Sequence, residues 1–245
     1  MVAETPDTVP AKSFIVAATP RTGSGLLCYG LASTGIAGCP AECFAPHLRG
    51  MWRGYWPLTG GFSDFFRAAV RYGTTSNGVY GLKIHWMHIA QLARDAPSVS
   101  ESDDVLERLF PGARFLNIVR LDRRAQALSY FRARATDEWE KVEGIDSVPR
   151  NVPPFNADAI LALEADLTRQ QEAWKRYFLK RGIVPLVIEY ETLASDYRGE
   201  IARALRFLGL DASVARAIPP PRLVRQADEV TACWRRLMET AGDRE

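Results

Sequence analysis

The sequence predicts an α/β protein with a mainly parallel sheet flanked by helices on both faces. Three observations carry this. Short apolar runs lie at 14–18, 78–86, 114–120 and 183–189; apolar residues recur at helical spacing between them; and Gly, Pro, Asp and Asn punctuate the junctions. Strands that alternate with helices are joined by crossovers, and crossovers give parallel sheets buried on both sides. The 245 residues can bury a sizeable core, so one domain over 1–245 is expected.

The first run, Phe14–Ala18, is bounded by Thr19-Pro20 and passes through Arg21-Thr22-Gly23-Ser24-Gly25 into Leu26, Leu27 and Leu31. That reads as buried strand, tight loop, helix. Glycines let backbone N–H groups approach an anion, the helix N-terminus adds partial positive charge, and Arg21 adds a permanent cation. The nucleotide-triphosphatase pattern G-x-x-x-x-G-K-[ST] is absent: no first glycine and no lysine are present to hold a γ-phosphate and Mg²⁺. The alternative is an ordinary strand–helix turn.

Past the first helix, Cys39-Pro40-Ala41-Glu42-Cys43-Phe44 is irregular, and Glu42 can face the loop's ligand. Residues 45–77 carry His47, Trp52, Tyr55, Trp56, Phe62, Phe65, Phe66 and Tyr72; a helix over Ser63–Tyr72, N-capped by Ser63, is expected within a substrate-side insertion or lid. Trp52 and Trp56 can stack on a sugar ring or simply pack. The second strand, 78–86, ends in Lys83, His85 and Trp86, at the end where open α/β sheets bind ligands. Period-two alternation puts Lys83 and His85 on one face and Trp86 on the other. His85 is read either as a base or as a hydrogen-bonded structural residue.

A short helix over Val105–Phe110 leads through Pro111-Gly112 to the third strand, Arg114–Arg120. Asp122 is placed to cap the next helix, which carries Ala125, Leu128 and Phe131 on one stripe and also bears Ser129. Residues 137–156 are charged and then proline-rich, and read as a loop. A long helix over 157–181, stopped by Gly182, precedes the fourth strand at Ile183–Glu189 and a helix with Ile201, Leu205 and Leu208. The tail opens with three prolines and continues as Arg222-Leu223-Val224-Arg225-Gln226-Ala227-Asp228 into a final helix with Cys233 and Trp234.

Composition excludes several classes. A formal net charge of +2 gives no argument for a nucleic-acid or membrane surface. No run approaches the roughly 20 apolar residues of a membrane span, and the polar arm Met1–Lys12 has no signal-peptide core, so a soluble cytoplasmic protein is expected. The four cysteines, Cys28, Cys39, Cys43 and Cys233, lack metal-site spacing and read as free thiols. Cys39 and Cys43 flank Glu42 and either line its pocket or fill the core.

Six stretches together resemble the bacterial carbohydrate sulfotransferases that use 3′-phosphoadenosine 5′-phosphosulfate (PAPS). They are IVAATPRTGSGLLCYGLASTGIAGCPAECF, NGVYGLKIHW, NIVRLDRRAQALSYFRA, RQQEAWKRYF, VIEYETL and LVRQADEV, in that order over most of the chain. The resemblance implies a nucleotide-kinase-like fold and transfer of a sulfuryl group from PAPS to a hydroxyl of a carbohydrate or glycosylated small molecule. The product would be adenosine 3′,5′-bisphosphate, with no metal, and the protein a homodimer. By position it implies that Arg21, Thr22, Gly23, Ser24 and Gly25 hold the 5′-phosphosulfate, Arg120 with Ser129 the 3′-phosphate, and Arg225, Gln226 and Asp228 the adenosine end. Glu42, in Pro40-Ala41-Glu42-Cys43-Phe44, matches the family's general base. Relatives have Gly-Ser-Thr where this chain has Gly23-Ser24-Gly25, and an acidic residue at Cys39 in at least one case.

The chemistry suits these residue types. An alkyl hydroxyl is a poor nucleophile, so Glu42 would take its proton as the new S–O bond forms. Arg21, the loop N–H groups and Lys83 would stabilise charge on the departing phosphate oxygen. Trp52, Trp56, His85 and Trp86 are candidate acceptor contacts. Two other readings compete: an ATP- and Mg²⁺-dependent small-molecule kinase, weakened by the missing Lys–Ser/Thr pair, and a non-catalytic nucleotide-binding protein.

Overall fold

The computed structural model describes residues 10–56, 60–96, 104–144, 151–223 and 229–242. Its centre is a four-stranded parallel sheet of β1 (Lys12–Ala18), β2 (Val79–His85), β3 (Arg114–Val119) and β4 (Leu186–Glu189), in the order β2-β1-β3-β4. The register pairs Ala18 with His85 and Val119 with Glu189, which aligns the carboxyl ends of the strands. The chain leaves β1 for β2 on one side and later returns to β3 on the other. The crevice at such a reversal is where open α/β sheets bind ligands.

β1 shows why both faces are covered. Ile15 and Ala17 point into one core with Tyr80, Leu82, Phe115 and Trp174, whereas Phe14, Val16 and Ala18 point into the other with Leu27, Leu31, Ile201 and Leu205. All five residues Phe14–Ala18 are buried, so the strand reads as an apolar run rather than an alternation. The first core is roofed by α3 (Phe62–Gly73), α4 (Ile89–Asp95), α5 (Val105–Leu109) and the C-terminal half of α7 (Ala157–Arg181). The second lies under α1 (Ser24–Ser33), α8 (Tyr190–Ser195) and α9 (Tyr197–Leu208). A third, smaller cluster joins α6 (Arg123–Thr136) and α7 to α10 (Glu229–Gly242) through Leu128, Leu167, Trp234 and Met238.

Several boundaries follow the expected chemistry. Asp122 caps α6 by accepting from Ala125 N, and Asn156 caps α7 in the same way from Ala159 N. Gly182 ends α7 at φ 62°. Three expectations need correction. Ser63 is not an N-cap: α3 begins at Phe62, its cap position is Gly61 with no side-chain bond, and Asp64 supplies first-turn negative charge instead. The fourth strand is shorter, because Ile183 N still donates to Phe178 O in closing α7 and pairing with β3 starts at Leu186. Trp86 lies beyond β2, opening a single 3-10 turn at Trp86–His88 that leads directly into α4.

Within 45–77 a 3-10 turn at Pro46–Leu48 runs into α2 (Arg49–Tyr55), and α3 follows. Phe65 and Ala69 of α3 are buried on the sheet, and Phe44, Phe62, Phe66 and Phe110 form ring contacts with one another. Trp52 and Trp56 stack on each other with centroids 5.3 Å apart and also meet Tyr72. In the 137–156 loop, Val142 bridges Leu223 in antiparallel fashion and Glu143 N donates to Arg222 O at 2.8 Å. The tail and this loop therefore close on each other beside α1.

Candidate active site

The turn after β1 is built to hold its backbone open. Arg21 sits at φ 63° and Gly23 at φ 81°, both in the left-handed region. A non-glycine residue there costs free energy and persists only where its surroundings hold it. At Gly23 any β-carbon would collide with the Tyr190 ring. The surroundings are specific: Gln126 of α6 donates to Thr19 Oγ1 at 2.9 Å and to Pro20 O at 2.6 Å, and Trp174 Nε1 donates to Ala18 O at 2.9 Å. Thr22 is fully buried and its hydroxyl donates back to Thr19 O, which fixes the turn between β1 and α1. Ser24 opens α1, whose first-turn N–H groups have no intrahelical partner.

Two arginines converge on this turn. Arg21 Nε donates to Ser129 Oγ at 2.9 Å and its Nη1 to Trp139 O. Arg120, just beyond β3, donates from Nη1 to Arg21 O at 3.3 Å and lies over the Tyr190 ring at 4.7 Å. Burial, followed by the neighbouring Arg120 charge, lowers Arg21 to about 10, so its guanidinium stays charged at neutral pH. Two guanidinium groups held together in a half-buried crevice suit a polyanion. Ser129 thus joins the same cluster through Arg21.

One nearby acid was not legible in the sequence. The Glu140 carboxylate lies beside α1: a β-carbon on Gly25 would stand 2.9 Å from Glu140 Oε1, and Tyr29 Oη donates to Glu140 Oε2 at 3.3 Å. Nothing in a charged loop distinguishes Glu140 from Glu138 or Glu143; only the fold brings it there. Tyr190, which packs on both Gly23 and Arg120, was missed for the same reason.

Glu42 reaches the sheet because its segment runs along the β2 edge: Ala41 bridges Leu82, and Lys83 N donates to Ala41 O at 3.1 Å. The Glu42 side chain is only 10% exposed, with Oε2 3.0 Å from Lys83 Nζ and Oε1 3.0 Å from His85 Nδ1. The two expected neighbours on one face of β2 do meet it. His88 is a third, with Nδ1 3.2 Å from Oε1; an H-x-x-H spacing was the signal available for it. Burial alone would raise the Glu42 carboxyl, but His85 and Lys83 outweigh it and hold Glu42 well below the usual carboxylate range. Lys83 is raised despite burial because Glu42 faces it, whereas burial dominates at His85 and lowers it. At neutral pH the cluster is an ionised carboxylate, an ammonium and a neutral imidazole.

Other candidates fall elsewhere. Trp86, offered as an acceptor contact, makes edge contacts with Trp174 and Tyr177 and packs partly buried against the first core. Trp52 and Trp56 are partly buried against that core as well. Cys43 is buried in it, its thiol pushed up to about 12 by burial, while Cys39 is half-buried. Arg225, Gln226 and Asp228 lie outside the described residues.

An α/β crevice with a strained glycine loop, two half-buried arginines and a carboxylate beside a lysine is the kind of site that suits a small polyanion. The chain belongs to the Stf0 sulphotransferase family, whose model matches residues 13–239. It is 31% identical over 252 residues to the trehalose 2-sulfotransferase of Mycobacterium tuberculosis (strain Erdman), covering 91% of this chain and 92% of that protein. It is 29% identical over 251 residues to the trehalose 2-sulfotransferase of Mycolicibacterium smegmatis, with the same coverage. Among solved structures, the sulfotransferase domain of the Synechococcus PCC 7002 olefin synthase covers 94% of each chain at 19% identity and a TM-score of 0.47. Among the described residues no helix is long and apolar enough to cross a membrane.

Proposed function

We propose that this sulfotransferase moves the sulfuryl group of PAPS onto a hydroxyl of a carbohydrate or glycosylated small molecule by in-line displacement, as a cytoplasmic homodimer. The observation that carries the reading is the Arg21–Arg120 pair at the β1–β3 crevice, a cationic site suited to a nucleotide with two separate anionic groups. The names of the two mycobacterial relatives support a sugar acceptor.

In this reading the 5′-phosphosulfate lies against the Arg21–Gly25 backbone and the α1 N-terminus. Arg120, with Ser129 held by Arg21, takes the 3′-phosphate, and Arg225, Gln226 and Asp228 close on the adenosine end. The acceptor oxygen attacks sulfur while its proton passes to Glu42; the bond from sulfur to the 5′-phosphate oxygen breaks, and adenosine 3′,5′-bisphosphate departs. Glu42 paired with Lys83 is ionised but weakly basic. A bound donor gives Lys83 a second anion, and drawing the ammonium toward the leaving oxygen restores basicity to Glu42 as charge develops. No step requires a metal.

The test is incubation with PAPS and a panel of sugars that includes trehalose, scored by mass spectrometry for a sulfated product formed in step with adenosine 3′,5′-bisphosphate. Transfer to any sugar hydroxyl upholds the reading. Phosphorylated product from ATP and Mg²⁺, with none from PAPS, overturns it.

A further inference from the structure

The carboxylate of Glu42 is divided between two environments. Oε2 belongs to Lys83, and Oε1 faces two imidazoles. We propose that Glu42 Oε1, His85 Nδ1 and His88 Nδ1 form a binding site for a divalent transition-metal ion of the zinc class.

The geometry is that of ligands sharing a centre. One ligand atom from each of the three residues lies within 4.8 Å of the other two, and Oε1 is 3.0 Å from His85 Nδ1 and 3.2 Å from His88 Nδ1. Donors about 2.0–2.1 Å from a tetrahedral zinc stand about 3.3 Å apart, so both separations need to open only slightly. Despite this closeness, Oε1 and His88 Nδ1 are buried with no hydrogen-bond partner of acceptable geometry among the described residues. Buried polar atoms left unsatisfied are costly and uncommon, and one ion would satisfy both. The His88 side chain is 7% exposed and already in place.

The donor set selects the ion. Two imidazoles and a carboxylate, with no thiolate among them, suit zinc or cobalt better than hard cations such as Mg²⁺. Lys83 holds the opposite oxygen, so the ion need not displace it. Among the described residues His85 Nε2 is also buried without a hydrogen-bond partner, so the site lacks the outer support typical of structural zinc, which points to reversible occupancy. The third histidine of the chain, the exposed His47, has its ring 5.6 Å from that of His88.

The site stands on this geometry alone; its consequence rests on Glu42 being the base. An ion on Oε1 would withdraw the electron pair that takes the acceptor's proton, so zinc would inhibit turnover and a chelator would restore it. The experiment uses the full chain, freed of metal with EDTA and desalted, then titrated with Zn²⁺ by calorimetry and with Co²⁺ by visible absorption. The expected result is one ion per chain, Co²⁺ bands of tetrahedral type displaced by Zn²⁺, and at least a tenfold loss of affinity in both His88→Gln and Glu42→Gln. Near-UV circular dichroism and melting temperature verify that each variant folds. No binding by the wild type, or undiminished binding by either folded variant, overturns the site. Binding without inhibition of PAPS turnover leaves the site standing and removes Glu42 as base.

Discussion

Glu42 is held by three side chains, and each bears differently on its role. Lys83 keeps it ionised, His85 is neutral beside it, and His88 closes the buried side. Glu42→Gln keeps the shape and loses the proton acceptor, so kcat should fall about 10²–10⁴-fold while affinity for adenosine 3′,5′-bisphosphate stays within a factor of two. Steady-state kinetics beside calorimetry check this; unchanged kcat would exclude the role. Glu140 gives a prediction of opposite sign. It places a negative charge beside Gly25 at the α1 N-terminus, where a charge is worth about 0.3–1 kcal/mol. Glu140→Gln should therefore tighten bisphosphate binding by roughly two- to fivefold, and weaker binding would mean that Glu140 supports the site. Glu42 was singled out by the family resemblance and its place beyond the first helix, and Lys83 and His85 by their place at a strand end. Glu140 and Tyr190 were not legible, since contacts between residues far apart in the sequence leave no local trace.

Among the elements, the long helix α7 and strand β1 depend on each other. Trp174 is completely buried, donates to Ala18 O at the end of β1 and packs on Trp86, Tyr177 and Phe178. Trp174→Ala removes that packing and its hydrogen bond to Ala18 O just before the Arg21–Gly25 turn; a loss of about 3–5 kcal/mol in denaturant unfolding is expected. Asp122→Ala removes the α6 cap and the ion pair to Arg235 of α10, an expected loss of about 1 kcal/mol that would show as a lower melting temperature. Helices with a clear stripe and a cap, such as α6 and α7, were readable from sequence because periodicity and end chemistry agree. The short helices α2 and α4 were not: at seven residues each, packing rather than propensity decides them. Glu42's approach to β2 was equally hidden, because a one-residue bridge at Ala41 makes no pattern.

At the scale of the molecule, acid should loosen the fold at the β2 edge. Burial lowers the His85 pKa in the folded state, so the unfolded chain binds the proton more readily. The stability that neutral His85 contributes is complete above its unfolded value of about 6.5 and is lost as pH falls from there toward the folded value. Denaturant midpoints should drop as pH is lowered below about 6.5, less steeply in His85→Asn; equal slopes would place the acid-sensitive group elsewhere. The central claim, that the β1–β3 crevice holds a nucleotide with separate 5′- and 3′-anions, is met most directly by calorimetric titration with adenosine 3′,5′-bisphosphate in EDTA. ATP with Mg²⁺ is titrated alongside, and the bisphosphate titration is repeated on Arg120→Ala. Metal-independent binding of the bisphosphate that falls at least tenfold in Arg120→Ala is expected. Binding of ATP–Mg²⁺ alone, or bisphosphate affinity indifferent to Arg120, would contradict it.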